Sequence, residues 1–219
     1  MSHILFGTRG SGSAAVEMAF RACGIAWQHV DAASWKPASA VEQLAHANPL
    51  VQIPTVRLPD GTILTESAAI LLHLALAMPQ GRLLPESPGA RAQAIRGLTF
   101  IAANCYAAVS IVDFPARWTT ASTKAAHEEV REGARQRLFH HWDIFADMFV
   151  PSPYLSGDGP GALDYLAVVV SMWCGARDHI AKSRPSFAET LQRIQLHDAV
   201  GPVFRQHWDS APQKHPETS

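Results

Sequence analysis

The sequence predicts a chain of two unlike halves, a small α/β unit followed by an all-α helical bundle. Three observations carry this expectation. Strand-like runs and a hairpin signal are confined to the first 78 residues. A stretch with three prolines and two glycines, Pro79 to Gly89, comes next. Beyond it, apolar residues recur only at helical spacing.

The first half reads in order. His3 to Gly7 is a short strand. Thr8 to Ser13 is a loop with two glycines. Val16, Ala19, Phe20 and Cys23 then recur on one helical face, with Gly24 placed to end that helix. Ile25 to Val30 alternates and predicts a second strand. A weak helical pattern around Val41 to Ala45 leads to the turn signal Asn48-Pro49. Thr55 to Leu58 and Thr62 to Leu64 flank Pro59-Asp60-Gly61, which has hairpin chemistry, so these strands should be antiparallel. A helix from about Ser67 to Met78, buried through Ile70, Leu71 and Leu74, closes the unit.

The second half is a series of apolar stripes that must bury one another. Ile95, Leu98, Ala102, Cys105, Val109 and Val112 mark one long helix, which Phe114-Pro115 should end. Leu138, Trp142, Phe145 and Phe149 mark a second. Leu163, Leu166, Ala167, Val170, Trp173 and Cys174 mark a third. Phe187, Leu191 and Ile194 mark a shorter one, and Val200 to Trp208 the last. The expected division is residues 1–78, a linker at 79–89, the bundle at 90–210 and a frayed polar tail at 211–219.

Composition narrows the function. The 219 residues are 47% hydrophobic, enough for a sizeable core. With 18 basic and 19 acidic residues the formal net charge is -1, and no Lys/Arg block appears, which argues against nucleic acid as a partner. A small anionic ligand remains compatible, because local geometry can bind one. The three cysteines form no CxxC and suit a reducing compartment. The first 13 residues do not read as a signal peptide. Leu166 to Val170 is too short an apolar run to span a membrane, so a cytoplasmic location is expected. The 11 histidines form no metal-ligand pattern, and no metal is expected.

Three local features carry candidate chemistry. Ser11 and Ser13 lie in the loop RGSGS, where a helix begins. Free amides there can hold an anion and a hydroxyl can donate to it, although an N-cap serine beside turn glycines explains the same residues. Ile53-Pro54 precedes a strand. A cis bond there would turn the Ile53 backbone outward for an extended ligand, whereas a trans bond would simply start the strand. Glu66 and Ser67 stand at the next helix start. Ser67 can cap that helix or hold a carboxylate, and Glu66 can accept from an ammonium. Asp164, in the first turn of a bundle helix, reads as an organiser of the loop before it.

These residues together resemble the cytosolic glutathione transferase family, most nearly its serine-using bacterial members. LFGTRGSGSAAVEMAF, NPLVQIPTVRLPDGTILTESAAILLHLA and YLSGDGPGALDYLAVVVSMW carry the resemblance over roughly residues 3 to 208. It implies a thioredoxin-like first domain and glutathione as co-substrate. Ile53 would pair with the cysteinyl part beside cis-Pro54, and Glu66 and Ser67 would hold the γ-glutamyl end. Phe6 stands where many members have tyrosine, and Gly12 where some have cysteine. The thiol-activating hydroxyl is therefore expected from Ser11 or Ser13, with Ser11 preferred. Tyr106, Phe114 and Trp118 are expected to line the pocket for a small hydrophobic electrophile, or else to pack in the core. The family motif around Asp164 usually begins with Ser or Thr, and Gly161 here supplies no side-chain cap. The resemblance further implies detoxification chemistry and a homodimer. A glutathione-binding or protein-interaction member without catalysis is the alternative on the same fold.

Overall fold

The computed structural model describes residues 2–36 and 38–209. The expected tail at 211–219 lies outside the described residues.

The sheet forms first along the chain. Strand β1 (His3–Gly7) is followed by helix α1 (Ser13–Ala22), strand β2 (Trp27–Asp31) and helix α2 (Val41–Ala47). The hairpin strands β3 (Thr55–Arg57) and β4 (Ile63–Leu64) lead into helix α3 (Ser67–Ala77). The strand order is β2-β1-β3-β4. β1 and β2 pair in parallel, His3 opposite Trp27, as the intervening helix requires. β3 runs antiparallel to both β1 and β4. The second strand starts later than Ile25 because the Ile25 N–H donates back to Phe20 O at 2.9 Å and completes the end of α1. Gly24 sits at φ +66°, the conformation that end needs.

The bundle follows a short 3-10 turn at Pro79–Gly81. Helix α4 (Pro88–Phe100) begins with the Ser87 hydroxyl accepting from the Ala90 N–H at 3.3 Å. It runs through a π-helical segment, Ile101–Tyr106, into α5 (Ala107–Asp113). The expected single long helix is thus continuous in direction but carries a π insert. This run, Pro88–Asp113, is long and apolar enough by composition to cross a membrane. Here Leu98, Ile101, Cys105 and Val109 are buried in the same core as Trp142 and Leu166. Pro115–Arg117 is a 3-10 turn, and α6 (Lys124–Met148) is capped by the Thr123 hydroxyl.

Helices α7 (Ala162–Val170), α8 (Ala176–Ser183), α9 (Pro185–Leu196) and α10 (Gly201–Trp208) complete the chain. The sequence expectation carried α7 on to Cys174. The helix ends at Val170 instead, because Cys174 and Gly175 take φ of +58° and +79° and turn the chain into α8. Arg177, from α8, donates to Val168 O at 2.7 Å and to the Ser171 hydroxyl at 2.8 Å, which pairs the free end of α7.

One core joins the two halves. Leu5, Phe20, Val56 and Ile70 belong to the same buried cluster as Leu98, Trp142, Phe145 and Leu166. Helix α7 is buried along its whole length and packs against α1, α3, α4 and α9. The sheet half and the helical half are therefore held in fixed register, and a cavity between them has a defined shape.

Candidate functional site

That cavity has a volume of about 420 Å³. From the sheet half it is lined by Ser11, Gly12, Ile53, Pro54, Glu66 and Ser67, and from the helical half by Tyr106, Ser110, Asp113, Phe114, Arg117 and Trp173. Ser13 and Trp118 are not part of its wall. The Ser13 side chain is fully buried behind the loop, and Trp118 is 56% exposed.

The wall at α3 is open to a ligand. Glu66, the residue before the helix, has φ +63°, a region that favours glycine. Its side chain makes no capping bond. Ser67 is the first helical residue, and its hydroxyl is buried with no hydrogen-bond partner among the described residues. Of the two uses open to Ser67, the helix cap is not the one the fold builds. An unpaired buried hydroxyl beside free first-turn amides can donate hydrogen bonds to a carboxylate.

The next wall is main chain. The Ile53-Pro54 peptide is cis. Asn48 organises the turn before it, its side-chain NH₂ donating to Gln52 O and to Thr55 Oγ1, both at 3.1 Å. The Asn48 side-chain oxygen accepts from the Leu50 N–H. No described residue pairs with the main-chain N–H or C=O of Ile53, which leaves them for an extended ligand.

The loop before α1 is built in the opposite way. The Ser11 hydroxyl donates to Thr8 O at 2.7 Å and accepts from the Ser13 N–H at 3.2 Å. The Ser13 hydroxyl also donates to Thr8 O, at 3.1 Å, and the two hydroxyl oxygens lie 3.0 Å apart. Helix α10 clasps this loop from outside. Arg9, itself exposed, donates to Gln206 O at 2.7 Å. The Gly10 N–H donates to His207 Nδ1 at 3.1 Å, so the imidazole carries its proton on Nε2, which donates to Glu17 Oε1 at 3.0 Å. Trp173 Nε1 donates to Gly10 O at 3.3 Å. Gly10 itself has φ +71°. Sequence reading singled out neither Glu17 nor His207, and no local pattern links them.

The helical wall is mixed in character. Tyr106 stacks on Trp173, with ring centroids 5.5 Å apart. Burial, reinforced by the Asp113 and Glu66 carboxylates, pushes the Tyr106 phenol well above its ordinary range. Arg117 lies over the Phe114 ring, 4.2 Å from its centroid. Burial pushes Cys23 and Cys105 up, and Cys174 up to about 12 with Asp113 adding to the effect, so a thiolate on any of the three is disfavoured.

Residues 13–77 match the family described as Glutathione S-transferase, N-terminal domain. A glutathione transferase homologue from Sulfitobacter, solved with bound glutathione, is 25% identical at a TM-score of 0.78, covering 94% of this chain and 98% of its own. The bacterial glutathione transferase BphK, solved as a ternary complex, is 27% identical at a TM-score of 0.74, covering 93% and 98%. The chain is a homologue of bacterial proteins of the glutathione transferase fold.

Among curated proteins, the uncharacterized GST-like protein YncG of Escherichia coli K12 is 28% identical over 171 residues, 77% of this chain and 80% of YncG. The family match takes in Ser13, Ile53, Pro54, Glu66 and Ser67. Ser11, Gly12 and the whole helical wall lie outside it.

Proposed function

We propose that this chain is a glutathione transferase that binds glutathione in the cavity and presents its sulfur, as thiolate, to a small hydrophobic electrophile. The observation that carries the reading is the buried, unpaired Ser67 hydroxyl at the start of α3, in one cavity with the unpaired main chain of Ile53.

The tripeptide fits these groups end to end. Its γ-glutamyl carboxylate meets Ser67 and the first-turn amides of α3, and its ammonium meets Glu66. Its cysteinyl main chain pairs with Ile53 beside cis-Pro54. The sulfur then falls at the start of α1, beside Ser11 and the Gly12 amide, where the helix dipole favours a negative charge. The thiolate attacks the electrophilic carbon, whose leaving group departs with the bonding electrons. The protein supplies activation and proximity. Ser110 and Phe114 face the space left for the electrophile. The same reading carries a cytoplasmic homodimer, which sedimentation and cell fractionation test.

One observation favours a second reading. Both loop hydroxyls direct their protons to Thr8 O, so neither Ser11 nor Ser13 is free to donate to sulfur without rearranging. A glutathione-binding protein without catalysis would look the same at that loop. Calorimetric titration with glutathione, followed by turnover of an activated aryl halide, separates the two. Binding with turnover supports the transferase, binding alone the second reading, and no binding defeats both.

A further inference from the structure

Tyr106 reaches the cavity from an unusual piece of backbone. It closes the π-helical segment Ile101–Tyr106, set between two α-helical runs. Such an insert turns side chains off the regular stripe and is common at functional sites. The ring is then fixed by stacking on Trp173, whose Nε1 donates to Gly10 O. The hydroxyl lies directly over Gly12. A Cβ at position 12 would fall 2.5 Å from Tyr106 Oη and 3.2 Å from Pro54 Cδ. Tyr106 Oη therefore sits in the notch between the first turn of α1 and the cis-proline edge. No described residue hydrogen-bonds to it. The serine hydroxyls of the same loop are directed to Thr8 O.

We propose that Tyr106 Oη, and not a loop serine, donates the hydrogen bond that holds the glutathione sulfur as thiolate. The proposal rests on the reading that this cavity takes glutathione. In the step itself the S–H bond breaks and its proton leaves to solvent, while the electron pair stays on sulfur. Tyr106 keeps its own proton and shares it with the sulfur. Its raised proton affinity suits that role, since a phenol that stays protonated is a donor and not a base. The sulfur pair then forms the new bond to carbon and the leaving group carries away its electrons. Tyr106 thereby moves from the electrophile pocket, where the sequence placed it, to the glutathione thiol.

The test is a pH titration of thiolate absorbance for bound glutathione in wild type, Tyr106→Phe and Ser11→Ala, with S-methylglutathione affinity measured in parallel. Tyr106→Phe should raise the bound thiol pKa by about one unit, a tenfold loss of thiolate near neutral pH. Its affinity for S-methylglutathione, which has no thiol to activate, should stay within about twofold of wild type. Ser11→Ala should leave the bound thiol pKa in place. A Tyr106→Phe protein that binds S-methylglutathione normally and shows the wild-type thiol pKa would overturn the proposal, and so would a rise confined to Ser11→Ala. If wild type itself fails to bind S-methylglutathione, the transferase reading falls and takes this inference with it.

Discussion

Three helix starts in this fold solve the same problem in different ways. At α7 the chain ties down its own helix start, and the first-turn Ala162 N–H donates to Leu83 O at 2.8 Å. Asp164 is fully buried and accepts from the N–H groups of Leu155, Ser156 and Gly161 at 2.9 to 3.0 Å. At α1 the loop is closed by its own serines and clasped by α10 through His207 and Arg9. At α3 no side chain among the described residues caps the helix, and the buried Ser67 hydroxyl has no partner among them. An orphan of this kind costs stability, a cost that the proposed carboxylate ligand would offset. The rigid start at α1 and the open one at α3 share one cavity. One fixes a geometry and the other waits for a charge.

The sharpest way to break this contrast is at the rigid end. Gly12→Ala puts a methyl group against Tyr106 Oη and Pro54. The expected result is a loss of about a hundredfold or more in transferase kcat/KM, from displacement of the thiol site. Steady-state kinetics check it. Next comes the self-closed start. Asp164→Ala leaves three N–H groups unpaired, and thermal or urea unfolding should show a stability loss of about 3 kcal/mol.

The open start should behave in the reverse manner. Ser67→Ala should leave the melting temperature unchanged or slightly higher, because it removes an orphan. Glutathione Kd should rise about tenfold or more, since in the proposed binding mode the hydroxyl's partner is a charged carboxylate. Ser11→Ala should do the opposite on stability, costing about 1 kcal/mol by stripping Thr8 O and the Ser13 N–H of a partner. Calorimetry and unfolding on the two variants together test the distinction. Equal behaviour of the pair would mean that the two starts are not different in kind.

The smallest effect lies far from the cavity. The Arg184 guanidinium, hydrogen-bonded to the Asp147 carboxylate, holds its pKa below the ordinary 3.8. A depressed carboxylate contributes stability above its unfolded pKa and loses it as pH falls through the folded one. Arg184→Gln should therefore flatten the stability profile slightly below about pH 4 and leave glutathione binding untouched.

Some of this was readable before any fold was in hand, because the cause was local. Glu66-Ser67 at a helix start, Ile53-Pro54 ahead of a strand and the hairpin at Pro59-Asp60-Gly61 each act within a few residues. The clasp on the α1 loop was not readable. His207 lies 190 positions from Glu17, and only the shared core brings α10 against α1. The π segment has no residue signature, so the stripe from Ile95 to Val112 predicted an unbroken helix and the aim of Tyr106 was hidden. Helix α8 was missed because ARDHIAKS buries only Ala176 and Ile180, too few to make a stripe. Trp118 was expected at the cavity as a bulky aromatic near the helix end, yet the 3-10 turn at Pro115–Arg117 leaves it outside the wall.

The most direct measurement compares two ligands by calorimetry, S-methylglutathione and the S-methyl dipeptide cysteinylglycine, which lacks the γ-glutamyl group. If the open start of α3 grips that end, the tripeptide binds and the dipeptide binds at least a hundredfold more weakly. Equal affinity for the two, or no affinity for either, would contradict a cavity built around that grip.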